Sequence, residues 1–110
     1  MAEAQILVGI DNQNYGTGKK PVTVYQIVVD RKIVVDSSSI RCKGMSENLQ
    51  QRCFETNAEV AALELRERGI ESYELINGKK CNEQTGEYVE IEELGTNELN
   101  LVKGGLESNI

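Results

Sequence analysis

The chain has no histidine and no tryptophan, one proline, one phenylalanine and few aromatics of any kind. Without imidazole, Ser-His-Asp and Cys-His machinery is excluded, and catalytic zinc sites built on a His ligand are disfavoured. An enzyme made from this chain would have to work with carboxylates, Lys, Tyr or a bound metal ion. No apolar run approaches the roughly 20 residues that a membrane span requires. The opening "MAEAQILVGID" lacks the basic start of a secretory signal. A cytoplasmic protein of one domain, with no membrane partner, is the expectation.

Cysteine is scarce as well. Cys42, Cys53 and Cys81 are odd in number, widely spaced and form no CxxC pair, which argues against a disulfide framework and fits a reducing compartment. They are expected to be small buried hydrophobes. With so few aromatics, the core has to be built from Val, Ile and Leu. A thin core of that kind favours extra burial by homo-oligomerisation.

The net charge of −6 is unevenly spread. Residues 1–43 carry six cations against four anions, a net of +2, whereas residues 44–110 carry six cations against fourteen glutamates, a net of −8. Polynucleotide binding needs many neutralised phosphates, so an acidic chain argues against it. The basic front half still suits one small anionic ligand.

Short apolar runs come first. "QILVGI" (5–10) and "PVTVYQIVV" (21–29) read as strands, and the second has two apolar faces, as a central strand does. "DRK" then turns the chain into "IVVDSSSIRCK" (33–43), an antiparallel hairpin. From Ser46 the period becomes helical up to Gly69. Ser46 is the N-cap, and two apolar stripes run side by side, Leu49, Cys53, Val60, Leu63 and Phe54, Ala58, Ala61, Leu65. Strand character returns at "IESYELINGKKC" (70–81), with Asn77-Gly78 a hairpin signal. It returns again in "NEQTGEYVEIEEL" (82–94), where Val89 and Ile91 should face inward. The pattern predicts an α+β fold, β-β-β-α-β-β-β, with a mainly antiparallel sheet of five to six strands under one long helix. A loose tail is expected over 103–110.

The segment "GIDNQNYGTGKKP" (9–21) is long for a hairpin connection and rich in binding chemistry. Gly16 and Gly18 free the backbone so that successive N–H groups, with that of Thr17, can converge on an anion. Lys19 and Lys20 add charge, Tyr15 a stacking surface, and Asn12 and Asn14 amide groups to read a base or ribose. Arg41 joins them if the second hairpin arm lies nearby. "GTGKK" is not a Walker A sequence, which needs four residues between its glycines and a Ser or Thr after the Lys. No cofactor motif is present. These residues point to a non-enzymatic module that binds a phosphate-bearing small molecule, such as a cyclic nucleotide sequestered by a small viral or mobile-element protein. A protein-interaction or inhibitor module is the alternative.

Two resemblances complete the reading. Residues 1–77 resemble the opening of a ribonuclease H-type fold: "GIDNQNYGTG" is a strand ending in an acid before a Gly-rich loop, and "ETNAEVAAL" a helix bearing a Glu after an Asn. That resemblance implies a metal-dependent nuclease with Asp11 and Glu59 as metal ligands. Asn77 stands where the family's next acid would fall, and the family's second half is absent. "TNELNLVKGG" (96–105) resembles the end of a double-glycine leader peptide.

Overall fold

The computed structural model describes residues 3–12, 21–38 and 46–109. Among these, the elements run β1 (Ala4–Asp11), β2 (Val22–Val29), β3 (Lys32–Asp36), α1 (Glu47–Glu67), β4 (Tyr73–Asn77), β5 (Lys79–Cys81), β6 (Tyr88–Glu90) and α2 (Thr96–Asn109). The α+β class is as expected, but the sheet is not. It has four strands in the order β3-β2-β1-β4, and β4 runs parallel to β1, while β5 and β6 form a separate antiparallel pair. A parallel neighbour needs a long crossover, and α1 supplies it.

β2 is the central strand that its two apolar faces require, with β1 on one side and β3 on the other. The β2–β3 turn has Asp30 at φ 51° and Arg31 at φ 65°. Left-handed φ at both central residues marks the type I′ turn that suits the twist of a tight hairpin.

Side chains alternate across the sheet. Ala4, Ile6, Val8, Ile10, Tyr25, Ile27 and Val29 face the helices, packing on Phe54, Ala58, Ala61, Leu65, Val102 and Leu106. Leu7 and Val28 face the other way and pack on Cys81 of β5. The small β5–β6 sheet thus covers part of the second face.

Ser46 caps α1, its hydroxyl accepting from the Leu49 N–H at 3.4 Å. At the other end Gly69 takes φ 69°. The N–H groups of Gly69 and Ile70 bond to the carbonyls of Arg66 and Leu65, a Schellman closure. The two apolar stripes are not adjacent: at roughly 100° per residue they lie on nearly opposite sides of α1, and only one of them is core. Phe54, Ala58, Ala61 and Leu65 are buried, whereas Leu49, Val60 and Leu63 are 48%, 39% and 54% exposed and Cys53 is half-buried.

The C-terminal segment corrects the expectation of a loose tail, since residues 96–109 form α2 and pack on α1. Gly104 and Gly105 lie inside that helix rather than at a leader-like end. A Cβ on Gly105 would come within 3.0 Å of the Ala58 Cβ, so the glycine lets two backbones approach closely. Val89 is also corrected: β6 is short, and this side chain is 37% exposed.

Asn77-Gly78 is not a hairpin turn but the point where the chain leaves the main sheet. Gly78 takes φ 95°, donates to the Val8 carbonyl at 2.7 Å, and accepts from the Ile91 N–H at 2.9 Å. Glu92 then occupies the place beside β1 that β4 has left, exchanging backbone hydrogen bonds with Ile10 at 2.8 and 3.1 Å. The Asn77 amide pins the same segment, accepting from the Leu94 N–H at 2.8 Å and donating to its carbonyl at 3.2 Å.

Tyr25 supplies a test of the packing under the helices. Its ring is buried and its hydroxyl lacks a partner among the described residues. Burial, then the neighbouring Tyr73, push this phenol above its usual range. The folded state therefore holds the proton more tightly than the unfolded chain. Stability from this group is intact below about pH 10 and is lost as the pH rises beyond it. Tyr25→Phe removes an unsatisfied hydroxyl, and its expected effect is a gain of about 1 kcal/mol near neutrality. It should also flatten the alkaline decline, and urea unfolding at neutral and alkaline pH measures both.

Candidate functional site

The face of the sheet opposite the helices is only partly covered by β5–β6. Beyond that cover, at the end of β1, lies a cavity of about 520 Å³, within the usual range for small-molecule sites. Val22, Val24 and Ile33 form its apolar wall, and Asp11, Gln26, Asp36 and Lys80 bring polar groups to it.

Asp11 is 1% exposed. Burial of an ionised carboxylate is costly unless a cation accompanies it, and Lys80 Nζ stands 2.5 Å from Oδ2. The pairing follows from topology. β1 ends with Asp11 on the open face, and Gly78 turns the chain so that β5 crosses that face.

Gln26 ties three strands together. Its Oε1 accepts from the Cys81 N–H at 2.8 Å, and its Nε2 donates to Asp36 Oδ2 at 3.4 Å. Asp36 Oδ1 in turn accepts from the Ser38 N–H at 3.1 Å. Cys81 is buried, and that burial raises its thiol above the usual range. It is a packing residue rather than a nucleophile. Asn82 shapes the far rim, its Oδ1 accepting from the N–H groups of Gln84 and Thr85.

A larger hollow of about 600 Å³ lies between the β2–β3 turn and the β5–β6 turn. Its charged groups, Glu3, Asp30, Arg31, Glu74 and Glu87, are all exposed. Tyr88 donates to Gln5 Oε1 at 2.9 Å there, but no charged group in this hollow is buried as Asp11 is.

The sequence-derived residues divide sharply. Asn14, Tyr15, Gly16, Thr17, Gly18, Lys19, Lys20 and Arg41, together with Cys42, lie outside the described residues. Asn12 is described, and its Nδ2 donates to Glu92 Oε1 at 3.3 Å on the surface. It does not line the cavity. The two carboxylates of the nuclease resemblance are not brought together: Asp11 lines the cavity on one face of the sheet, and Glu59 lines a groove between α1 and α2 on the other. No cluster of three potential metal ligands occurs among the described residues. Sequence reasoning singled out Asp11 but missed Lys80, Gln26 and Asp36. An acid closing an apolar strand does signal the need for a buried cation, yet no spacing motif points across 69 residues to Lys80.

Among the described residues, no helix is long and apolar enough to cross a membrane. No protein-family model, curated protein or solved structure matches the chain significantly.

Proposed function

We propose that the protein is a non-enzymatic binding module for a phosphate-bearing small molecule, with a nucleotide or cyclic nucleotide as the class that suits it. The cavity on the open face of the sheet would be the seat, and a homo-oligomer the working form. One observation carries this reading: the described stretches on either side of the segments rich in anion-binding chemistry contribute Asp11, Val22 and Ser38 to that cavity. Residues 13–20 connect the strands that end in Asp11 and begin with Val22, and residues 39–45 follow Ser38, and all three of these rim residues line the cavity.

Charge decides which residues matter. The described lining holds Asp11, Asp36 and Glu83 against Lys80, a net of −2, and Lys80 is already engaged by Asp11. An anion could not be held by that wall alone. Lys19 and Lys20 would bring the balance to zero and Arg41 to +1, with the backbone N–H groups of Gly16 to Gly18 as further donors. Tyr15 and Asn14 would meet the base or ribose. Sequestration of a signalling nucleotide, as a viral or mobile-element protein would carry it out in a cytoplasm, is the role this chemistry fits.

The expected outcome of a thermal-shift screen against cyclic and linear nucleotides is a rise in Tm with at least one of them. A ligand at about 100 times its Kd adds roughly 2.7 kcal/mol to the native state. Lys19→Ala with Lys20→Ala should abolish the rise, and its survival in that variant would refute the loop assignment.

The interaction-module reading has its own support in the exposed apolar line of Leu49, Val60 and Leu63 on α1.

A further inference from the structure

We infer that the outward face of α1 is a self-association surface, on which a second copy of this chain lays its own α1 antiparallel across a two-fold axis. The inference identifies the face of the oligomer proposed above and owes nothing to the ligand.

Three of the four exposed large hydrophobics among the described residues fall on this one face. Ser46, Leu49, Cys53, Thr56, Val60 and Leu63 are spaced alternately three and four apart. That alternation keeps them on one face of the helix, as in the seam that one helix presents to another. At roughly 100° per residue the seam points away from Ala58, the residue that Gly105 of α2 approaches most closely. Neither the sheet nor α2 covers it.

Charge selects the partner and the register. Arg52 and Glu59 flank the same edge of the seam, both are exposed, and neither forms an ion pair among the described residues. When two such helices run antiparallel, equivalent edges meet. With Leu49 opposite Val60 of the second copy and Cys53 opposite Thr56, Arg52 meets Glu59 of the other chain, and the two-fold axis repeats the pair. Leu63 then lies over the Ser46 end, and Glu67 stays outside the overlap. Sliding one heptad sets Leu49 against Glu67, Arg52 against Arg66 and Glu59 against its own copy. Parallel pairing sets Glu59 against Glu64. Both alternatives are repulsive, and only one arrangement is complementary along its whole length.

Sedimentation equilibrium on the full chain tests this. The expected mass is twice the 12.2 kDa of one chain. Leu63→Glu should give a single-chain mass with unchanged circular dichroism, and Val60→Lys serves if that variant misfolds. Arg52→Glu alone and Glu59→Arg alone should each weaken the dimer about tenfold, since each turns two attractive pairs repulsive. The double variant should recover the wild-type constant to within about twofold, because both pairs are restored in reverse. A single-chain mass for the wild type at its highest soluble concentration overturns the inference. So does a double variant no tighter than the singles. The nucleotide-dependent rise in Tm, measured on Leu63→Glu, reports on the cavity separately, so failure of one reading is told apart from failure of the other.

Discussion

Lys80→Met is expected to lower the unfolding free energy by about 3 kcal/mol, or roughly 15 °C in Tm. The reason is the partner it leaves behind. The Asp11 side chain is 2% exposed and the Lys80 side chain 18%, so loss of the ammonium takes a close positive charge away from a carboxylate that water barely reaches. Removing both charges should cost less than removing one. Lys80→Met combined with Asp11→Asn is expected to recover much of the loss, because a neutral amide tolerates burial better than a charged carboxylate. A double-mutant cycle by urea unfolding measures the coupling, and its expected value is well above the 0.2–1 kcal/mol typical of an exposed pair. A value in that lower range would show that the pair is hydrated rather than structural.

The second large effect belongs to Gly9. Val8 and Ile10 on either side of it are buried, and a Cβ at this position would lie 2.6 Å from Ile91 Cδ1 and 2.8 Å from the Glu92 carbonyl oxygen. A side chain can rotate away, but a backbone oxygen cannot. Gly9→Ala is therefore expected to cost about 3 kcal/mol: overpacking contributes 1–3, and the two hydrogen bonds between Ile10 and Glu92 weaken as the 91–94 segment is pushed off β1. Adding Ile91→Ala should recover only part of this, because the contact with the Glu92 carbonyl persists. Full recovery would mean that the segment is held by side-chain packing alone. Amide exchange at Ile10 and Glu92 gives an independent readout, with faster exchange expected in Gly9→Ala.

These two positions show where sequence reading succeeds and where it stops. β2 was legible because Val22, Val24 and Val28 alternate with Tyr25, Ile27 and Val29, and a strand apolar on both faces belongs in the middle of a sheet. α1 was legible from the Ser46 cap, the helical period and the Gly69 stop. The choice of its buried stripe was not. Leu49, Cys53, Val60 and Leu63 are as apolar as Phe54, Ala58, Ala61 and Leu65, and only tertiary packing distinguishes them. The smaller side chains of the second stripe, two of them alanines, let the helix sit close to α2 at Gly105.

The parallel placement of β4 escaped for a related reason. A helix of 21 residues is long enough to return the chain to either edge of the sheet in either direction. Local pattern carries no information on that choice. α2 escaped because Gly104 and Gly105 are poor helix formers, yet tight packing on Ala58 demands a residue without a side chain. At Asn77-Gly78 a strong hairpin signal served another purpose. The left-handed glycine redirects the chain between sheets, and the asparagine replaces a missing strand partner with its amide.

The candidate site was half legible. The acid at the end of β1 and the chemistry of residues 12–20 stand out in the sequence. The closing of the site by Lys80 and Gln26 is a product of the crossing of β5, and no linear motif encodes it. The expectation that the front half alone would offer a cationic surface is refined as well. The described wall is net acidic, so under the proposed reading an anion would have to be met by Lys19, Lys20 and Arg41.

The most direct test of the cavity as a ligand site is a nucleotide titration of the isotope-labelled full chain followed by backbone amide shifts. Saturable changes are expected at Asp11, Gln26, Lys80 and Cys81, with the outward face of α1 unmoved, and they should vanish in Lys19→Ala with Lys20→Ala. Absence of any change across cyclic and linear nucleotides, or changes confined to α1 and α2, would contradict it.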